Sequence, residues 1–136
     1  MKHPERVEDY LEHIAQAIER VVRYIQNVAD VESLRQNVEK QDAVVRNLIV
    51  VGEAAAKILN MAPSFAASHS GLPWMEMRGI RNKVVHEYFD VDWAVVWDTV
   101  RNELPPVKQQ IDRILFDHRL GLDQARERED EPKRTL

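Results

Sequence analysis

The chain has 136 residues, of which 44% are hydrophobic and 31% charged, with a formal net charge of -4. That balance places it among ordinary folded domains with a core of their own and excludes a disordered chain or a generally basic nucleic-acid coat protein, though not a small local phosphate site. It contains no cysteine, which excludes disulfides, thiolate metal sites and thiol catalysis and fits a reducing cytoplasm.

The opening residues Met1 to Tyr10 lack the apolar run of a signal peptide, and no stretch of the chain reaches membrane-spanning length, so we expect a cytoplasmic protein with no membrane partner. Pro4 suits the first turn of a helix, with Glu5, Glu8 and Asp9 favourable at its positive end. From there Val7, Leu11, Ile14, Ile18, Val21, Ile25 and Val28 alternate spacings of four and three, the mark of a long amphipathic helix. Asp30 to Val38 fits a turn or one short helix. Val44, Leu48, Val51, Ala55, Ile58 and Ala62 then repeat the period, predicting a second long helix from near Asp42 to before Pro63. Gly52 lies inside it and permits close packing by another helix. Arg46 and Glu53 share one of its faces, and Glu53 or Asp42 is a candidate partner for an arginine elsewhere.

Ser64 to Leu72 reads as a loop in which His69 is solvated. Pro73 opens a third helix with Trp74 in the core, and Asp90 or Asp92 can cap the helix that follows. Trp93, Val96, Trp97, Val100, Leu104, Val107, Ile111, Ile114 and Leu115 mark that last helix, which Pro105-Pro106 must kink or restart. Beyond about Asp117 core-forming residues thin out, and residues 123–136 read as a mobile or surface-bound charged tail. With no alternating pattern anywhere, the expectation is an all-α, up-and-down bundle of four to five helices.

The segment from Met77 to Asp90 is the chemically dense one. On a regular helix Met77, Ile80, Val84 and, less centrally, Val85 and Trp74 form its apolar side, and Arg81 falls among them. A partly buried guanidinium there needs a carboxylate, a phosphate or a subunit interface. Arg78, Asn82 and His86 form one polar line, and Arg81 and Tyr88 another. Arg81 and His86 are five apart, about 140° on a straight helix, so bringing them together requires one of three things. The helix ends at or before His86, the arginine folds back, or a second copy supplies the missing half. We favour a cleft between two subunits.

Histidine exchanges protons near neutral pH, arginine grips phosphate in a bidentate way, and asparagine orients either. Together they suit cleavage of RNA by its own 2'-hydroxyl. The neighbouring acids Glu76, Glu87 and Asp90 do not form the carboxylate cluster of a metal nuclease, and His86 beside Glu87 is no zinc site, so we expect neither metal nor cofactor.

Arg81-Asn82-Lys83-Val84-Val85-His86-Glu87-Tyr88 matches R-x-x-x-x-H-x-Y and resembles the signature of the HEPN superfamily, in particular its HepT-like toxins. Leu72-Pro73-Trp74, Phe89-Asp90-Val91-Asp92, Arg46-Asn47-Leu48 with Gly52-Glu53-Ala54, and Leu104-Pro105 agree with it. The resemblance covers nearly all of residues 1–116 as a helical domain and leaves residues 117–136 outside as a charged C-terminal tail. It implies a metal-independent ribonuclease of a toxin-antitoxin pair, acting as a homodimer. Arg81 and His86 would be the catalytic pair, Asn82 their polar assistant, and Tyr88 the residue to which a cognate nucleotidyltransferase antitoxin adds AMP. The second reading is a non-catalytic helical module that binds such a partner, or a nucleotide, through the same residues. In a third, purely structural dimer, Glu53 satisfies Arg81 and His86 caps a helix.

Overall fold

A computed structural model describes residues 6–87 and 90–130, with side chains as far as Gly121. Pro4 therefore lies outside the described residues, and the first helix, α1, runs Val7–Ile25. Its start is held by Asp9, whose carboxylate accepts the Arg6 backbone N–H at 3.0 Å. Leu11, Ile14, Ile18, Val21 and Ile25 point into the core, as their spacing requires. Asp30 caps the short α2 (Val31–Arg35) by accepting the Ser33 N–H at 2.9 Å. That bond holds the Asp30 carboxyl below its usual value.

The second long helix, α3 (Val38–Met61), begins four residues before the expected Asp42 because Asn37 caps it, accepting the Lys40 N–H at 3.0 Å. It ends at Met61, before Pro63. The expected loop from Ser64 contains a short helix, α4 (Pro63–Ser68), for which Pro63 supplies a preset first turn. His69 is likewise not simply solvated. It is half-buried, its ring lies 4.2 Å from that of Phe65, and its carbonyl accepts the Trp74 indole N–H at 3.0 Å.

The next segment is broken more often than its periodicity suggests. It comprises α5 (Trp74–Arg78), α6 (Ile80–Val84) and two short antiparallel strands, β1 (Val85–Glu87) and β2 (Asp90–Val91), with Val85 opposite Val91 and Glu87 opposite Asp90. The hairpin corrects the expectation of no β structure. Asp92 then caps α7 (Trp93–Asp98), accepting the Val95 N–H at 3.1 Å. A π-helical segment, Thr99–Glu103, leads into α8 (Leu104–Asp130). Pro105 and Pro106 account for that irregularity, because they lack the donors that would reach the carbonyls of Arg101 and Asn102 in a regular helix.

The fold is all-α apart from this hairpin. Helices α3 and α8 both pack on α1, with Ile14, Ile18, Val51, Ile58 and Ile111 fully buried between them. Past Phe116 the helix continues, and its side chains reach back to α1 through His118 to Glu8 at 3.0 Å and Arg119 to Glu12 at 2.7 Å. No described helix is long and apolar enough to cross a membrane.

Candidate active site

The site is hung on the middle of α3. A β-carbon added at Gly52 would stand 3.2 Å from both Ile80 Cγ2 and the Met77 carbonyl oxygen, and 3.5 Å from that of Arg78. Only the missing side chain lets the backbone of α5 and the start of α6 lie this close. Trp74, Met77, Ile80 and Val84 are buried, and Val85 is half-buried, as the helical reading of the segment requires.

Arg81 departs from that reading: it is exposed, as are Arg78, Asn82, Lys83, His86 and Glu87. The reason is the break at Gly79, which sits at φ -88° and ψ 4°, between helix and turn. Helix α6 therefore sets its own register. Ile80 and Val84, four apart, face the core, and the residues between them face out. At Val85 the backbone turns extended, with φ -112° and ψ 110°, so the helix stops before His86. Of the three conditions named from the sequence, the end of the helix before His86 is present in the chain. It also dissolves the polar line Arg78/Asn82/His86 drawn on a continuous helix, since His86 lies on β1, while the line from Arg81 to Tyr88 ends outside the described residues. The termination is secured from outside the segment. The Asp92 N–H donates to the Val84 carbonyl at 2.7 Å, and Val85 pairs with Val91.

The expected arginine partners are not used. Among the described residues neither Asp42 nor Glu53 forms an ion pair with Arg78 or Arg81. Arg81 Nη1 donates to Asn82 Oδ1 at 3.5 Å, a long contact that leaves the other guanidinium donors for a ligand. His86, on a strand, caps no helix. Tyr88, the remaining motif residue, lies outside the described residues. Among the described residues no three His, Asp or Glu side chains converge as a metal site.

One tie of this segment was not foreseen. Lys83 Nζ pairs with Glu103 Oε2 at 3.0 Å, joining α6 to the π segment twenty residues later. Only the proline pair downstream hinted that the backbone there is unusual. Asn47 is another surprise: it is buried in α3, with its amide donating to the Ala43 carbonyl at 2.8 Å.

What this geometry offers chemically is a short exposed segment carrying an imidazole, a fork of cationic donors and an amide, seated closely on α3 at Gly52. Side chains of these types are able to hold a phosphate and to exchange protons beside it.

Comparison with known proteins agrees. Residues 14–114 match the family model described as "Ribonuclease HepT-like", and the chain belongs to that family. "Putative RNase TTE0752" of Caldanaerobacter subterraneus is 35% identical over 106 residues, covering 78% of this chain and 91% of that protein. "Probable ribonuclease HepT" of Thermococcus cleftensis is 37% identical over 106 residues, with 78% and 93% covered. "Putative RNase MJ1216" of Methanocaldococcus jannaschii is 31% identical over 111 residues, with 82% and 88% covered. No solved structure gives a significant match.

Proposed function

We propose that the chain is a metal-independent RNA endonuclease, centred on Arg81, Asn82 and His86, and the toxin of a toxin-antitoxin pair. The observation that carries this is that all three side chains stand exposed on α6 and β1 and that Arg81 and His86 are spent on no ion pair. Membership of the ribonuclease family and the names of the relatives support it.

In this reading Arg81 grips the scissile phosphate and stabilises the charge that develops on it. A base withdraws the proton of the RNA 2'-hydroxyl, the 2'-oxygen attacks phosphorus, and the 5'-oxygen leaves after receiving a proton. The products are a 2',3'-cyclic phosphate and a 5'-hydroxyl. His86 is the group that exchanges these protons, and Asn82 orients it or the phosphate. A homodimer with two motifs facing a shared cleft would let two copies of His86 divide the roles of acid and base.

The resemblance also supports silencing by a nucleotidyltransferase antitoxin that adds AMP to Tyr88. A bulky anion beside a phosphate site would block RNA by volume and by charge. Residues 1–116 are the proposed nuclease domain, with residues 117–136 as an extension, and the cytoplasm is the proposed location.

The test is incubation of the unmodified protein with mixed RNA in EDTA beside His86→Ala, with analysis of product ends. Cyclic phosphate ends from the parent alone are expected. Intact RNA in both, with Tyr88 unmodified by mass spectrometry, overturns the nuclease and favours the binding module.

A further inference from the structure

A cavity of about 400 Å³ lies between α5–α6 and the π segment. It is separate from the exposed face of the motif, because Lys83, which lines it, stands about 200° around α6 from Arg81. Its walls are apolar, formed by Met77, Ile80, Leu104 and Val107. Thr99 also lines it and is 2% exposed. The Thr99 hydroxyl has no hydrogen-bond partner, the one such buried side-chain nitrogen or oxygen among the described residues.

Thr99 begins the π segment, where the regular helical ladder is lost. In ordinary helices a threonine hydroxyl turns back onto a carbonyl three or four residues earlier, and its side chain divides between two rotamers for that reason. Here the bond is not made, so a side chain that lines the cavity carries a hydroxyl with no partner in the protein. π segments recur where function has displaced regular helix.

The rim sets the charge of what can enter. Glu76 and Glu103 place two carboxylates against one ammonium, Lys83, which is already paired with Glu103 at 3.0 Å. A phosphate would be repelled. The volume suits a ligand the size of a nucleoside, and the Met77 thioether and aliphatic walls suit a flat ring.

We propose that this cavity takes an uncharged nucleobase, offered by a free nucleoside or by a base of a bound RNA strand, with its polar edge hydrogen-bonded to the Thr99 hydroxyl. The choice of a nucleobase rests on the reading of the chain as an RNA-acting protein; the cavity and its unpartnered hydroxyl do not. Because α6 forms one wall, an occupant steadies the helix that leads into His86.

Adenosine, guanosine, cytidine and uridine would each be titrated into the parent and into Thr99→Val, following the Ile80 and Met77 methyl signals by NMR. The expected result is a saturable shift with at least one nucleoside in the parent. In the variant, binding should be weaker by about tenfold, the order of one hydrogen bond to a group otherwise unsatisfied. Valine keeps the shape of threonine and removes the unpartnered hydroxyl, so Thr99→Val should fold and melt no lower than the parent.

The second arm separates the two sources. If the base belongs to the RNA strand, Thr99→Val alters the base preference beside the cut while retaining cleavage. If the source is a free nucleoside, the cutting pattern is unchanged and only the titration differs. Equal binding by parent and variant overturns the proposal, as does no saturable shift together with an unchanged or absent cutting pattern. A parent that binds a nucleoside but cuts no RNA sinks the nuclease reading and leaves the cavity's assignment standing.

Discussion

Two regions of this molecule use the same amino-acid types to opposite ends. Helices α1 and α3 run without interruption from Val7 to Ile25 and from Val38 to Met61, and each holds one apolar face against the other. Residues 74–91 also carry a helical apolar pattern, yet they are divided into α5, α6, β1 and β2. Continuity in the first region buries hydrophobic side chains along its whole length. Interruption in the second buries four of its described residues, Trp74, Met77, Ile80 and Val84, and leaves most of the other described ones exposed. The core is made by keeping the period, the site by breaking it. Gly52 is where the two meet.

The contrast is sharpest when equivalent deletions are made on each side of it. Removing the His86 imidazole should lower RNA cleavage on the order of 10²–10⁴-fold, the range for loss of a general acid or base. Arg81→Ala should also abolish most cleavage. Both residues are exposed, so thermal or urea unfolding should stay within about 0.5 kcal/mol of the parent. Leu48→Ala, in the fully buried seam of α3, should do the reverse, costing roughly 2–5 kcal/mol of stability. If His86→Ala unfolds as readily as Leu48→Ala, the motif belongs to the core and the comparison fails.

Gly52→Val tests the junction itself. Its new atoms meet Ile80 Cγ2 and the Met77 carbonyl, and overpacking of that kind costs roughly 1–3 kcal/mol, more than the gain from replacing a glycine inside a helix. Since the clash displaces α5 and α6, cleavage should fall along with stability. A variant that loses stability but keeps full activity would show that the site does not depend on its seat on α3.

How much of this could be read in advance follows the same division. The faces of α1 and α3, the close approach at Gly52 and the capping role of an aspartate before α7 follow from local spacing, and the structure has them. Arg81 was misplaced because a period of 3.6 can be drawn straight through Gly79, and nothing local says that the helix stops there. The end of α6 depends on Asp92 and Val91, which reach back to Val84 and Val85 from beyond the hairpin. Such contacts have no signature in a short window. Pro105-Pro106 announced an irregular helix, but its form as a π segment, and the Lys83–Glu103 pair it allows, required the packed chain. The residues of the candidate site were legible as a motif, whereas the exposure of Arg81 was not.

Asp92 lets that non-local effect be measured. Asp92→Ala removes the cap on Val95 and should cost about 1 kcal/mol. The backbone bond from residue 92 to Val84 survives the substitution, so α6 should still end where it does. Protection of the Asp92 amide from hydrogen exchange, retained in the variant, would establish that the cap and the termination of α6 are separable.

The smallest effect belongs to the connection between the two long helices. The Asp30 cap on α2 is fully exposed, and its carboxyl is held below the ordinary value of 3.8 chiefly by the Ser33 backbone N–H. A folded-state value below the unfolded one means that the stabilisation is present above the unfolded pKa and is lost as pH falls through the folded one. The melting temperature of Asp30→Ala should therefore lie slightly below the parent's at neutral pH, and the gap should hold down to mildly acidic solution. It should begin to narrow as the pH falls below 3.8 and go on narrowing until the pH has passed below the lower folded-state value, where the carboxyl of the parent is protonated. Asp30→Asn keeps an oxygen for the Ser33 N–H at every pH, so its gap to Asp30→Ala should not close. If the parent and Asp30→Ala differ equally in acid and at neutrality, the charge of the cap is irrelevant and the aspartate acts only as a neutral hydrogen-bond acceptor between α1 and α3.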